Sequence, residues 1–147
     1  MSIKVKKIHP KALLPKYATE GAACFDIFAL VNTVEGSVLV SSSIPAIIDT
    51  GLSFEIPEGY VMLVFSRSGH GFKNDVRLAN CVGVIDSDYR GELKVKLTAD
   101  SYSVLEVNYG DRIAQGMLVP VGRVIFEEVS ELSSTERGHG GFGSTGQ

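Results

Sequence analysis

No tract of this chain is apolar for long enough to cross a bilayer, which takes about 18 consecutive residues or more. The opening "MSIKVKKIHP" carries lysines, but no apolar run of signal-peptide length follows it. A soluble, cytoplasmic protein with no membrane partner is expected. Cysteine is almost missing: Cys24 and Cys81 lie far apart, with no CxxC pair and only three histidines. That argues against a disulfide framework and a zinc site, and for thiols buried in a reducing cytosol. An excess of positive charge is lacking too, since 14 basic against 17 acidic residues leaves a net charge of -3. Duplex nucleic acid needs a clustered basic surface, so any polyanion bound here is small and held by a few placed groups. Helical periodicity never lasts beyond a turn or two, with "SGHGFK" at 68–73 the one candidate.

What is present is the material of one all-β domain. At 147 residues and 44% hydrophobic, the chain is long enough to bury a sizeable core. Its apolar runs are short, β-branched and interrupted by Gly, Pro, Asn or Asp: "IKVKKI", "AACFDIF", "SVLV", "IPAIID", "GLSFEI", "YVMLVF", "ELKVKLT", "RIAQGMLVPV" and "RVIFEEV". From Glu92 to Leu97 apolar and charged residues alternate strictly, the mark of a half-solvated strand. A β-sandwich or jelly roll over residues 1–129 is the economical architecture. Residues 130–147 then turn polar and glycine-rich, and read as an arm.

Three loops combine charge with glycine. "FSRSGHG" from Phe65 to Gly71 offers hydroxyls, a guanidinium and free backbone N–H groups, which together suit phosphate oxygens. A solvated turn arginine is the plainer alternative. "NCVGVIDSDYRG" from Asn80 to Gly91 places Asp86 and Asp88 around Ser87 and reads as a hairpin. Its carboxylates suit either an ordinary turn or a general base. In "GDRIAQ", from Gly110 to Gln115, Asp111 and Arg112 stand close enough to pair with each other. The final ten residues hold five of the sixteen glycines, and residues 141–146 satisfy G-x-G-x-x-G. The dinucleotide fingerprint nonetheless fails, because no helix can follow Gly146, and no lysine stands beside Ser144 or Thr145 to make a P-loop.

Taken in order, "GAACFDIFA", "SRSG", "NCVGVIDSDYRG", "GDRIAQ" and "RGHGGFGSTG" resemble the five motifs of the trimeric dUTPases across almost the whole chain. The resemblance implies a jelly-roll (β-clip) subunit in a homotrimer, with a flexible C-terminal arm that lids a neighbour's site. It implies hydrolysis of dUTP to dUMP and pyrophosphate, a reaction that keeps uracil out of DNA. Asp86 resembles the general base, with Gln115 near the attacking water. Arg67, Ser68, Gly69 and Gln115 resemble the phosphate contacts of the body, and Arg137, Gly143, Ser144 and Thr145 those of the arm. Asn80, Val82, Gly83 and Ile85 resemble the reader of uracil, Tyr89 the ring beneath deoxyribose, and Phe142 the ring stacked on the base. Asp26 resembles the acidic residue that orients Mg²⁺ through its bound water.

Ser66, His70 and Cys24 depart from the residues usual in that family, which has Pro, Leu and Gly there. The related dCTP deaminases share the fold but lack the glycine-rich lid in this form. A role as a trimeric interaction module with a regulatory protein partner is compatible with retained catalysis.

Overall fold

A computed structural model describes residues 2–144; the expectations for Thr145 and Gly146 lie outside the described residues. In chain order its elements are β1 (Lys4–Lys7), β2 (Lys16–Tyr17), β3 (Phe25–Phe28), β4 (Ser37–Val40), β5 (Ala46–Glu55), β6 (Tyr60–Phe65) and the helix α1 (Ser68–Asn74). β7 (Val76–Leu78), β8 (Val82–Ile85), β9 (Glu92–Ala99), β10 (Leu105–Asn108) and β11 (Arg112–Pro120) follow. One sheet has the order β1-β5-β9-β7, a second β2-β3-β11-β6-β8, and β10 pairs with β4 in a ribbon. All of these pairs are antiparallel, as in a jelly roll. No helix among the described residues is long and apolar enough to cross a membrane.

The alternation in β9 works as expected: Leu93, Val95, Leu97 and Ala99 are buried, while Lys94 and Lys96 are exposed. Across from them, Ile27, Met62, Val64 and Ile113 close the core from the second sheet. Each such side chain contributes about 1.5–3 kcal/mol by leaving water.

Four expectations need correction. "IPAIID" and "GLSFEI" form one strand, because Gly51 sits at φ 68 within a bulge instead of ending β5. "RVIFEEV" forms no strand; the last one ends at Pro120, and Val124, Ile125 and Phe126 are 70%, 97% and 93% exposed. The segment 80–91 is not a hairpin, since β8 pairs with β6 and β9 pairs with β5, in different sheets. Cys81 is exposed at φ 63 in the turn before β8, and Cys24 is only half-buried; both are free thiols.

The bulge sets the frame for what lies beside it. Asp49 opposes Lys94 and Ser53 opposes Glu92, so Thr50, Gly51 and Leu52 face the single residue Leu93. A Cβ on Gly51 would stand 2.8 Å from Leu30 and 2.9 Å from Ala12, which reserves the position for glycine. Buried Thr50 donates its hydroxyl to the Leu93 carbonyl at 2.6 Å and accepts from the Leu52 N–H at 3.2 Å. The Gly51 N–H reaches Glu92 at 2.8 Å, and the Ser53 hydroxyl donates to the Arg90 carbonyl at 2.6 Å. β5 thereby grips both the start of β9 and the end of the turn before it. Thr50→Val keeps shape but strands the Leu93 carbonyl and the Leu52 N–H, so it should lose about 1–3 kcal/mol in urea unfolding. Thr50→Ser should keep most of the stability.

Candidate active site

Two groups of side chains carry the chemistry, and they stand apart. The first is centred on Asp26, which is only 8% exposed in the middle of β3. Its Oδ1 accepts from Arg67 Nε at 3.0 Å, and its Oδ2 lies 3.4 Å from an Arg112 guanidinium nitrogen. Arg112 therefore pairs with Asp26 and not with Asp111, whose carboxylate instead accepts from the Asn108 N–H at 2.8 Å. Sheet register delivers these groups to one place, because Gln115 opposes both Asp26 and Phe65, two residues before Arg67. Gln115 Nε2 donates to the Ser66 carbonyl at 3.1 Å. Arg67 caps α1, whose first residues are Ser68 and Gly69, so three of the sequence motifs converge on this end of the second sheet.

The second group lines a cleft opened where β8 and β9 diverge into different sheets. Asn80, Gly83 and Ile85 border a cavity of about 410 Å³ with Val64 and Leu78. Ile85 continues into an adjoining cavity of about 240 Å³ bordered by Asp86 and Tyr89. Gly83 makes the approach close, as a Cβ there would lie 3.1 Å from Val64. Gly91 is needed, because a Cβ would overlap the Tyr89 ring. That ring is fixed by its hydroxyl, which donates to the Glu92 carbonyl at 3.0 Å, while Arg90 closes the turn onto the Ser87 carbonyl at 2.6 Å. Asp86 is exposed and its carboxylate has no hydrogen-bond partner among the described residues. Val82 and Val84 are exposed on β8, at the edge of its sheet. A larger cavity of about 850 Å³ lies against the far side of the 86–88 turn, and neither Asn80 nor Tyr89 borders it.

Arg67 and Asp86 sit at opposite ends of β6. Phe65 opposes Val82 and Met62 opposes Ile85, so Arg67 runs beyond one end of the strand pair and Asp86 beyond the other. At about 3.3 Å per residue, six residues of register separate them by roughly 20 Å. Among the described residues, the arm joins neither group. Arg137 Nε donates to the Gly140 carbonyl at 2.9 Å, and Gly138 and Ser144 donate their N–H groups to Thr135 and Gly141. Phe142 is fully exposed at φ 49, next to Gly143 at φ 94.

Four residues of these groups take roles here that the sequence does not assign them. Arg112 was visible as a charge, but its partner across the sheet was not. Ser66 accepts the Leu78 N–H on its hydroxyl at 2.9 Å, and His70 Nε2 lies 2.7 Å from the Arg112 carbonyl. Lys94 borders both cavities of the cleft. Hydrogen bonds to Asp49 and then Glu92 hold its ammonium above the ordinary lysine pKa, so it stays charged.

Comparison with known proteins places these groups in context. The dUTPase family model matches residues 10–146. A deoxyuridine 5'-triphosphate nucleotidohydrolase of Nautilia profundicola is 44% identical over 147 residues, covering 100% of both chains. One of the same name from Helicobacter hepaticus is 44% identical over 146 residues, covering 99% of this chain and 89% of the other. Among solved structures, the Staphylococcus bacteriophage 80alpha dUTPase with dUPNHPP superimposes with a TM-score of 0.86 at 29% identity over 99% of each chain. A mutant dUTPase from phage phi11 of S. aureus, described as coordinating a structural Mg(II) ion, gives 0.76 at 25% identity, over 89% of this chain and 98% of the other.

Asp26→Asn should leave two guanidinium groups facing a neutral amide. A loss of about 1.5–3 kcal/mol in urea unfolding is expected, smaller at high salt because part of the repulsion is screened.

Proposed function

The chain belongs to the dUTPase family, and from that premise we propose that it hydrolyses dUTP to dUMP and pyrophosphate at sites that no single copy completes. The observation that carries this reading is the order of residues along the cleft: Asn80, Gly83 and Ile85, then Tyr89 and Asp86. A deoxyuridine nucleotide laid in that order has its uracil against Asn80 and the backbone from Cys81 to Ile85, including Val82. The Tyr89 ring, pinned at its hydroxyl, packs against the sugar and leaves no room for a 2′-hydroxyl. The narrow base site likewise excludes the methyl group of thymine, and its polar pattern mismatches cytosine.

In this pose the α-phosphorus lies beside Asp86. The free carboxylate takes a proton from a water whose oxygen attacks phosphorus in line, and the bond to the bridging oxygen breaks as pyrophosphate leaves. Gln115 keeps its Oε1 for that water while its Nε2 is committed to Ser66. Asp26 suits a water-mediated contact with Mg²⁺ better than a direct bond, because both of its oxygens already face guanidinium groups. Bound Mg²⁺ supplies charge neutralisation on the triphosphate oxygens.

The β- and γ-phosphates then point away from the Arg67 of the same chain, which lies at the far end of β6. They are served by Arg67, Ser68, Gly69 and Gln115 of a second copy. Arg137, Phe142, Gly143, Ser144 and Thr145 come from the arm, residues 130–147, of a third copy, and residues 1–129 form the body. Such a head-to-tail contact closes into a ring, which supports a homotrimer. The exposed Val82, Val84, Ile125 and Phe126 supply apolar surface for it.

Asp86→Asn should retain dUTP binding and lose turnover by about 100-fold or more, measured as pyrophosphate release. Near-parental turnover would transfer the role of base to another residue. Chains truncated after Arg137 should fold and assemble but turn over poorly. Mixing them with Asp86→Asn chains, followed by subunit exchange, should restore activity. Each mixed ring of three then has one site that combines an intact Asp86 with an intact arm from another copy. No recovery, in rings shown by sedimentation to be mixed, would place the arm on its own chain's site.

A further inference from the structure

The helix α1 has little to hold it in place. It spans seven residues, two of them glycine, buries no side chain and lacks a side-chain cap. A helix this short has no stability of its own, and each interior glycine weakens it further. Its C-terminus is tied through Asp75, at φ 52, whose carbonyl accepts the Asp100 N–H at 2.9 Å. At the other end, Ser66 precedes Arg67 and is bound to the Leu78 N–H. Between these points one helix side chain reaches another element. His70, half-buried, has Nε2 at 2.7 Å from the Arg112 carbonyl. A carbonyl only accepts, so Nε2 carries the proton, and the bond survives in both the neutral and the charged imidazole.

We propose that His70 is a positioning residue for the triphosphate, fixing the first turn of α1, and with it Ser68, Gly69 and Arg67, against β11. The Arg112 carbonyl is the anchor for two groups, since an Arg67 guanidinium nitrogen lies 3.4 Å from the same oxygen. Arg112 in turn faces Asp26, which holds Arg67 Nε. His70 therefore completes a closed circuit: helix to β11, β11 to Asp26, Asp26 to Arg67, and Arg67 back to the helix cap. Without it, Ser68 and Gly69 are held only through Arg67 and the ends of the 66–75 segment. Leucine cannot make this bond, whereas glutamine can present an N–H at nearly the place of Nε2.

The inference rests on the assignment of 67–69 to the phosphates, and the test separates the two. In the full-length enzyme, His70→Leu should raise KM for dUTP about three- to ten-fold, as expected for one hydrogen bond, with a smaller change in kcat. His70→Gln should restore KM to within about twofold of the parent. Competitive inhibition by deoxyuridine, which has no phosphate, should be the same in all three proteins. Parental KM in His70→Leu, equal impairment in His70→Gln, or weakened deoxyuridine binding in step with KM would overturn the role of His70. Arg67→Gln provides the control. A large rise in its KM beside an unaffected His70→Leu rejects the inference alone, and no rise in either rejects the phosphate assignment itself.

Discussion

Phe65 faces Val82 and Met62 faces Ile85, and from that register follows what one copy of this chain is able to do. Antiparallel pairing gives β6 and β8 opposite directions, so the segments that leave them depart from opposite ends. Arg67 follows β6 at one end and Asp86 follows β8 at the other. No loop adjustment of a few ångströms brings them together, because both strands lie within a close-packed sheet. On the proposed reading, a nucleotide whose base occupies the cleft extends toward Asp86 and therefore away from its own Arg67. Assembly is then a consequence of strand direction. The same argument accounts for exposed valines on an edge strand, which a solitary domain has reason to avoid.

The cleft itself depends on interactions that do not touch the ligand. β8 and β9 are neighbours in sequence but belong to different sheets, and the gap between them persists because each is held from behind. β6 holds β8 by ladder hydrogen bonds, and the β5 bulge holds β9 and the turn through Thr50, Gly51 and Ser53. Gly91 and the Glu92 carbonyl then set the Tyr89 ring in one orientation. Rigid support of this kind is what lets a ring discriminate by a single hydroxyl group, since a mobile ring would yield to it.

The strict alternation from Glu92 to Leu97 made β9 readable, because side-chain period is a local property. The chemical groups were readable for the same reason, as short strings of residue types. Pairing was not. Nothing local distinguishes an Arg112 that binds Asp111, its neighbour in sequence, from one that binds Asp26 on the adjacent strand. Gly51 reads as a strand break because glycine usually is one; here the bulge uses its positive φ to keep β5 running. "RVIFEEV" has every propensity for a strand, yet a strand also needs a partner, and among the described residues this segment pairs with none. The apparent hairpin at 80–91 failed in a similar way, since proximity in sequence did not decide which sheet each limb joined.

Charge explains why so few cations suffice in a protein of net charge -3. Around Asp26, two guanidinium groups face one carboxylate, leaving one positive charge in excess there. The carboxylate also holds the geometry, since without it the two arginines would repel each other and point into solvent. A further positive charge, Arg137, rides on the arm, whose hydrogen bonds among the described residues stay within the arm. Two unit charges 4 Å apart attract by about 1 kcal/mol in water and about 4 kcal/mol at the effective dielectric near a protein surface. On the proposed reading, a glycine-rich arm that closes over the phosphates both delivers its own charge and strengthens the hold of Arg67 by displacing water. On the same reading the base is held in a preformed cleft, and the charges act at full strength only when the arm of a third copy has closed the site.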